Sequence, residues 1–332
     1  MKNEFIALLR CPVSDQKLRL YEQMDDVQGG VSYYLITEDR SYKYPVINNI
    51  PRFVPKENYS DSFGMQWNIF SRTQLDGYSG IKASYDRFWN ATGWDKKELS
   101  NQWVLDVGCG AGRFAEIALE AGANVIAIDY SDSVDACYEN LKHFDNLYVV
   151  QANIYELPFD DESFSFIYSL GVLQHTPDVK ASFFSLPKLL RDNGKLVVDY
   201  YCKSWKSFLL PKYWLRHFTK HLSKHVVLNI LRYIVPAVYP IGWLIGKLPY
   251  GYILKRIIPI ADPVFYYERE FGKTEMSYKQ KLEWSLLDTF DWLTPAYDNP
   301  QTLSTINQWM IDSNLKDVEV LKAGHMVARG RK

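Results

Sequence analysis

The sequence contains few cysteines and no long apolar run. Four cysteines are scattered over 332 residues, which argues against a disulfide framework and indicates a reducing compartment. No stretch reaches 18 apolar residues, and the longest, 235–246, contains Pro236 and Pro240, so we expect no transmembrane helix. The first ten residues include Glu4 and lack the apolar segment of a secretory signal. We therefore expect a cytoplasmic protein.

Acidic residues are absent from residues 200–261, where ten lysines and arginines occur. The rest of the chain holds 28 basic and 39 acidic residues, although the net charge of the whole is only −1. Such segregation indicates a partner of opposite charge at the basic segment. The acidic remainder argues against a nucleic acid as that partner, because phosphate backbones need a broad basic footprint.

The N-terminal part, residues 1–60, has the pattern of a small β-rich domain. Cys11 is the only cysteine in this part, and one thiol cannot build a tetrahedral zinc site, so we expect no metal ligands. Apolar and aromatic runs separated by turn residues predict three short strands, over 18–21, 31–37 and 41–46.

Two segments of this domain, 9–12 and 44–51, resemble the start and the end of the small zinc-ribbon-like domain of the Trm112 type. That family often carries a second cysteine where Ser14 stands here. The resemblance implies a degenerate, metal-free version of the domain.

The central region alternates strand and helix patterns, as a parallel sheet requires. A helix is predicted over 176–193, with a kink at Pro187. Two aromatic-rich segments of helical period, 61–76 and 81–94, precede the first core strand. Seven strands are predicted in all, over 103–107, 124–129, 147–152, 164–170, 195–201, 318–323 and 325–330.

The predicted fold class is α/β, with a Rossmann-like, seven-stranded, mostly parallel sheet, a small β-rich N-terminal domain and a helical insert. Residues 1–60 form the small domain, and 61–200 form the core with its covering helices. Residues 201–285 form the basic insert, and 286–332 return to the core.

Three glycines at alternate positions, Gly108, Gly110 and Gly112, separate the first core strand from a helix; residues 108–112 are called the glycine turn. Such a turn brings bare backbone close to a ligand at the positive end of a helix. The dinucleotide fingerprint needs a further glycine where Arg113 stands, which disfavours a dehydrogenase. The next strand ends in Asp129, where a carboxylate can accept the hydroxyls of a ribose.

The glycine turn, the preceding Asp106 and the later Asp129 together resemble the S-adenosylmethionine site of class I methyltransferases. The resemblance implies S-adenosylmethionine as the cofactor. It places the glycine turn under the amino-acid tail and ribose, and Asp106 near the tail's ammonium group. Asp129 would bind the ribose hydroxyls, and Tyr130 would flank the adenine. Trp67 and two arginines, Arg72 and Arg87, lie in the preceding helices and either touch the ligand or pack in the core.

The segment 153–159 resembles the family's Asp-x-x-x-Leu-Pro-Phe run, which lies beside the adenine. It implies adenine contacts for Asn153 and Ile154. Asn153 replaces the acid, and its amide oxygen can still accept a hydrogen bond, more weakly than a carboxylate would. Ser165 is a second departure, because the family commonly has Asp there.

The segment 172–178 resembles the Val-Leu-x-His-x-x-Asp run of methyltransferases that include the ubiquinone and menaquinone enzymes. It implies that His175 faces the methyl acceptor, either as a general base or as a residue that holds the loop. A hydroxyl acceptor benefits from a base of near-neutral pKa. Aromatic side chains at the end of the fifth strand and in the polar segment 288–298 are the expected acceptor pocket, namely Tyr200, Tyr201, Trp292 and Tyr297.

The insert contains an amphipathic pattern over 213–231 that predicts one helix. Such a helix suits an anionic membrane surface, with peripheral contact through residues 205–260. Equally, it could be a lid whose apolar face packs on the catalytic domain. The apolar stripe is Trp214, Phe218, Leu222 and Val226, and the opposite basic face is Arg216, Lys220 and Lys224.

The expected function is methyl transfer from S-adenosylmethionine, as O-methylation of a small-molecule, glycan or lipid-linked metabolite. The protein would then be cytoplasmic or peripheral to a membrane. Two alternatives stay open at this point. One is a non-catalytic cofactor-binding or scaffold subunit, because the adenine side departs from the family pattern. The other is a nucleic-acid methyltransferase, for which the basic insert is the only support.

Overall fold

The computed structural model describes residues 1–24, 31–55, 60–203 and 210–332. These ranges form two sheets, an antiparallel sheet of four strands near the N-terminus and a mostly parallel sheet of seven strands at the centre. The seven-stranded, mostly parallel sheet predicted from the sequence is confirmed.

The N-terminal sheet pairs its strands in chain order, each antiparallel to the next. Its core is continuous with that of the large sheet, because the Phe5 ring stacks on Tyr148 at 4.7 Å between centroids. Cys11 is buried with its Sγ 3.1 Å from the Tyr44 hydroxyl. The resemblance to a zinc-ribbon-like domain stays a prediction. The elements are α1 (Asn3–Leu8), β1 (Leu18–Met24), β2 (Val31–Thr37), β3 (Lys43–Ile47) and β4 (Ile50–Pro51).

Four short helices lead into the core, and two of them, α2 and α4, confirm a helix within each of the aromatic segments 61–76 and 81–94. They are α2 (Asp61–Ile69), α3 (Asp76–Ser79), α4 (Ala83–Thr92) and α5 (Lys96–Leu99).

The central sheet has the order β10-β11-β9-β8-β5-β6-β7, with β5 to β9 parallel and β11 antiparallel to both its neighbours. The chain runs outward from β5 in both directions, so β5 and β8 flank the point where the strand order reverses. Open α/β sheets bind ligands outside the carboxyl ends of the strands at this point. The strands are β5 (Trp103–Val107), β6 (Asn124–Asp129), β7 (Leu147–Gln151), β8 (Phe164–Ser169), β9 (Leu190–Tyr200), β10 (Lys316–Ala323) and β11 (His325–Arg331).

Alternate residues of the central strands enter two different apolar cores, one on each face of the sheet. Leu105 and Val107 of β5 pack in one core and Val104 packs in the other. The crossover helices are α6 (Arg113–Glu120), α7 (Ser133–Leu141) and α8 (Val179–Phe184). The predicted helix over 176–193 is wrong in extent, because α8 ends at Phe184 and Pro187 opens a short 3₁₀ turn.

The insert is a helical layer whose last helix crosses the predicted boundary at 285/286. Leu228 and Leu231 of α10 pack with Leu287 and Phe290 of α13 in a separate core. The described helices here are α9 (Pro211–Thr219), α10 (Lys224–Gly246), α11 (Gly251–Leu254), α12 (Pro263–Phe271) and α13 (Tyr278–Leu293), followed by α14 (Leu303–Asp312) in the core.

Helix α10 continues through Pro236 and Pro240, so the predicted interruption is wrong. Both prolines are exposed, on the side of α10 away from α13. At 23 residues, α10 is long and apolar enough to cross a membrane by length and composition alone. A third of its most apolar window, 33%, is buried inside the protein.

The amphipathic helix predicted over 213–231 is two helices, α9 and α10. The basic residues of the pattern face the protein and its apolar stripe faces solvent, which is the opposite of the arrangement in a lid. Arg216 is buried and donates to the Pro295 carbonyl at 2.7 Å, and Lys224 donates to the Thr294 carbonyl at 2.8 Å. The apolar stripe faces outward, with Trp214 61% and Phe218 71% exposed. The alternative of a lid with its apolar face on the catalytic domain is therefore wrong.

Candidate functional site

A cavity of about 420 Å³, called the main cavity, lies at the carboxyl ends of β5, β6 and β8. This volume falls within the range of small-molecule sites, roughly 300–1,000 Å³. The walls come from the glycine turn, the lead-in helices, the loop after β8 and helices α12 and α13. The structure brings together eight of the residues predicted from sequence, namely Gly108, Gly110, Asp129, Tyr130, Ile154, His175, Tyr201 and Trp292.

The glycine turn has no room for side chains where it meets its neighbours. Gly108 has φ +83°, and a Cβ there would lie 2.4 Å from the methyl groups of Val172. At Gly110 a Cβ would lie 3.1 Å from the indole ring of Trp67, which α2 places over the turn. Bare backbone therefore forms the floor of the main cavity.

Asp129 ties the glycine turn to the end of β6. Its Oδ2 accepts the Gly110 amide at 3.1 Å, and its Oδ1 accepts the amide and the hydroxyl of Ser131 at 2.9 and 2.8 Å. Burial raises the pKa of Asp129, and the bonds from Ser131 and Gly110 partly offset that effect. Asp129 lines the main cavity, and its Oδ2 can accept a second hydrogen bond, which suits a ribose hydroxyl.

Asp106 lies beneath the turn and does not line the main cavity. It is 2% exposed, and its Oδ2 has no hydrogen-bond partner among the described residues. Burial raises the pKa of Asp106 to about 8, and the charge of Asp129 adds to the shift. An unpaired buried oxygen is costly, so a donor from a ligand or a water would stabilise this position.

Two further predicted cofactor residues are placed away from the main cavity. Gly112 packs against α7, where a Cβ would meet Leu141 at 2.7 Å and Cys137 at 3.0 Å. Its role is close packing of helix against turn. The Asn153 amide oxygen accepts the Tyr155 backbone amide at 3.2 Å within its own loop. The expected bond from Asn153 to the adenine is corrected accordingly, and only the adjoining Ile154 faces the main cavity.

Of the two tyrosines at the end of β9, Tyr201 lines the main cavity and Tyr200 does not. Tyr200 is fully buried in the core, with its ring 6.4 Å from that of Trp309. Because neighbouring strand residues point to opposite faces, only one of the pair can reach the cavity. The acceptor-pocket assignment of Tyr200 is corrected on this ground.

His175 sits in a short 3₁₀ turn after β8 with one ring nitrogen fixed. Its Nδ1 is 3.0 Å from the Tyr297 carbonyl oxygen, so Nδ1 carries the proton and donates. Tyr297 thus contributes its carbonyl and does not line the main cavity. The rings of Phe63 and Tyr201 lie 5.4 and 5.5 Å from the imidazole. This leaves Nε2 as an acceptor in a histidine that lines the main cavity.

Sequence reasoning missed the acidic wall of the main cavity. Residues 288–293 of the polar segment 288–298 are the last part of α13. Asp288 and Asp291 therefore share a helical face and both line the main cavity. Gln74 donates to Asp288 at 3.0 Å and Gln66 donates to Asp291 at 3.2 Å. The spacing of three residues is the signal that the sequence offered.

Two arginines beside these carboxylates complete this wall. Burial raises the pKa of Asp288 to about 7, and the neighbouring Asp291 adds to the shift. Arg113 donates to the Ser84 hydroxyl at 3.1 Å, and burial lowers its pKa to about 9. Arg87 pairs with buried Asp199 at 2.7 Å and lines the main cavity, as Trp67 does, whereas Arg72 does not.

These residues fit S-adenosylmethionine. The backbone floor of the glycine turn and the Asp129 carboxylate suit its polar groups. Ala152, Ile154 and Tyr130 offer an apolar and aromatic wall for a purine. Within the described ranges, no group of three or more His, Cys, Asp or Glu side chains could hold a metal ion.

Comparison with known proteins agrees with the chemistry of this site. Residues 105–198 match the family model described as a methyltransferase domain. The ubiquinone biosynthesis O-methyltransferase of Rhodopseudomonas palustris is 32% identical over 123 residues, which are 34% of this chain and 45% of that protein. The phosphoethanolamine N-methyltransferase 2 of Caenorhabditis elegans is 31% identical over 110 residues, which are 31% and 25% of the two chains.

Among solved structures, human N-acetylserotonin methyltransferase in complex with S-adenosylmethionine is similar over 84% of this chain and 60% of that one. Its TM-score is 0.46 and its sequence identity is 11%. The chain spans less than half the length of the curated relatives that it matches.

The strand order and the parallel core are those of the class I methyltransferase fold. Residues 105–198 form a methyltransferase domain, and S-adenosylmethionine is the cofactor of such domains. The two relatives methylate different atoms, oxygen and nitrogen, by their names.

Replacing Asp129 tests the cofactor site. We expect Asp129→Ala to weaken S-adenosylmethionine binding about 10- to 150-fold in calorimetric titration, since a hydrogen bond to a charged group contributes about 1.5–3 kcal/mol. Asp129→Asn keeps an acceptor oxygen, so its affinity for S-adenosylmethionine should lie between those of the wild type and Asp129→Ala. Asp145→Ala, at an exposed position, is the control. Unchanged affinity in Asp129→Ala would refute the ribose assignment.

The raised pKa of Asp288 predicts a pH dependence of cofactor binding. Above about pH 7 its carboxylate is charged and attracts the cationic sulfonium, so affinity should fall several-fold as pH drops through that range. In Asp288→Asn this part of the profile should disappear, while Asp312→Asn on α14 should retain it. Identical profiles for the wild type and Asp288→Asn would show that Asp288 does not face the cofactor.

Proposed function

We propose that this protein transfers a methyl group from S-adenosylmethionine to a hydroxyl group of a small-molecule, glycan or lipid-linked metabolite. The observation that supports it most is the shared cavity. The glycine turn and Asp129 lie at one wall of it, and His175, Tyr201 and Trp292 lie at another.

Bound in this site, S-adenosylmethionine supplies a methyl group on a sulfonium, so that a carbon–sulfur bond breaks as the acceptor's carbon–oxygen bond forms and a neutral thioether leaves. The residues align the acceptor and exclude water, which supplies much of the acceleration of such a displacement. His175 takes the hydroxyl proton at Nε2. Its Nδ1–H bond to the Tyr297 carbonyl keeps the ring in the tautomer that this role needs.

Two substitutions at His175 separate its two roles. An asparagine can still donate to the Tyr297 carbonyl from Nδ2, so His175→Asn keeps the loop bond and removes the base. If His175 is the base, both His175→Asn and His175→Ala should lower kcat about 10²- to 10⁴-fold. Cofactor affinity should stay unchanged in both.

Transfer of radiolabelled methyl groups into acceptors from a host-cell extract measures this effect. Wild-type rates in His175→Asn together with a loss in His175→Ala would assign His175 to loop positioning alone. An unimpaired His175→Ala variant would contradict both roles.

We further propose that the insert contacts an anionic membrane surface. Support comes from the outward apolar side chains of α9, α10 and α11, with Tyr233 81% and Tyr250 75% exposed. Large exposed apolar surfaces mark interaction sites. These side chains, called the insert surface, are Trp214, Phe218, Tyr233, Ile241, Trp243, Leu244, Leu248, Tyr250, Ile253 and Ile257.

Charge and aromatic composition favour a lipid surface as the partner. Residues 200–261 contain no acid, and Arg232 and Lys247 are exposed beside the insert surface. The Lys247 ammonium lies 3.4 Å from the centroid of the Trp243 ring. Aromatic rings beside basic side chains suit the headgroup layer of an anionic membrane.

Liposome co-sedimentation tests this contact. We expect recovery with vesicles that contain phosphatidylglycerol, falling as salt is added, and several-fold lower recovery for the double variant Trp214→Ser, Phe218→Ser. Ile311→Ser, which removes an exposed apolar side chain from α14, is the matched control. Equal recovery with neutral and anionic vesicles, insensitive to salt, would contradict the proposal.

A further inference from the structure

A second cavity, of about 260 Å³, lies inside the insert beside the main cavity. It is enclosed by the start of α9, the middle of α10 and the segment 255–262. Trp292 lines both cavities, so the two lie side by side at this indole.

The second cavity carries an excess of positive charge. Three basic side chains line it, Lys212, Lys255 and Arg256, against one acid, Asp262. That acid is already engaged, because it pairs with Lys255 in a buried salt bridge and its Oδ1 accepts the Phe265 amide at 3.1 Å to cap α12. Lys212 and Arg256 are thus left as a surplus of two charges.

The Lys212 ammonium group is surrounded by rings and has no ion-pair partner among the described residues. It lies 5.2 Å from the ring centroid of Tyr201 and 5.6 Å from that of Trp292, both of which line the main cavity. Burial lowers the pKa of Lys212, and the nearby charges of Asp298 and Asp291 offset that effect only in part, so its charge lacks full compensation. An anion at this point would supply it.

The other walls of the second cavity are apolar apart from the phenol groups of Tyr239 and Tyr266. Leu210, Pro211, Gly242, Ile258 and Ile260 line it, together with Trp292. An apolar wall with a half-buried lysine and an exposed arginine at its edge, neither in an ion pair among the described residues, matches a ligand that carries a phosphate or carboxylate on a hydrocarbon part.

We propose that the second cavity binds the anionic group of the methyl acceptor, a phosphate or carboxylate on an apolar carrier, through Lys212 and Arg256. This rests on the proposed function, since the acceptor's hydroxyl would lie in the main cavity, which Trp292 also lines. The substrate class is thereby an anionic amphiphile. The insert surface beside the second cavity suits delivery of such a molecule from a membrane.

Calorimetric titration with octyl phosphate, inorganic phosphate and octyl glucoside tests this inference on the full chain saturated with S-adenosylmethionine. We expect octyl phosphate to bind at least tenfold more tightly than either of the others. Lys212→Met and Arg256→Met should each weaken that binding about tenfold or more. Lys279→Met, an exposed lysine on α13, should leave it unchanged.

Adsorption of octyl phosphate to the insert surface would not depend on Lys212, so unchanged binding in Lys212→Met overturns the inference. If octyl glucoside binds as tightly as octyl phosphate, the ligand needs no anionic group. If inorganic phosphate binds as tightly as octyl phosphate, the ligand needs no apolar carrier. Either result overturns the inference. Titration of each variant with S-adenosylmethionine checks its folding. Intact cofactor binding with failed octyl phosphate binding removes this inference and leaves the proposed function standing; loss of cofactor binding in the wild type removes the proposed function itself.

Discussion

The close packing of the glycine turn is the constraint on which the rest of the site depends. The Val172 side chain packs against Gly108, and His175 lies three residues further along the same loop. Trp67 of α2 packs against Gly110, and the preceding residue, Gln66, donates a hydrogen bond to Asp291. The turn thereby fixes the cofactor floor and the acceptor side relative to each other. A side chain at either glycine would separate the elements that reaction requires to be aligned.

The insert reverses the usual arrangement of an amphipathic layer. Arg216 and Lys224 point inward and satisfy the carbonyls of residues 294–295, which follow α13 and have no helical partner. A second set of apolar side chains, beyond those of α10 that pack against α13, is left outside as the insert surface. The same basic segment supplies Lys212 and Arg256 to the second cavity. One acid-free stretch thus satisfies the end of a helix and supplies the residues of the proposed anion site and of the proposed lipid contact.

The parts predicted from sequence are those set by local spacing. The alternating glycines and Asp129 lie at the ends of adjacent parallel strands, so sequence position alone brings them together. The inverted α9 was not predictable, because an amphipathic pattern shows that two faces differ and cannot tell which one meets the protein. Asp288 depends on the packing of α13 against the lead-in helices. The adenine contact predicted for Asn153 was not found, because its amide oxygen accepts a hydrogen bond from the backbone of its own turn.

We propose that this cavity transfers a methyl group to a metabolite that carries an anionic group on an apolar part. The most direct measurement incubates the protein with methyl-labelled S-adenosylmethionine and an extract of its host, then separates lipid, glycan, nucleic-acid and small-molecule fractions. We expect label in an acidic, lipid-soluble fraction, and we expect this label to be lost in His175→Ala. Cofactor binding with no label in any fraction would indicate a scaffold subunit, and label in nucleic acid would contradict the assigned acceptor.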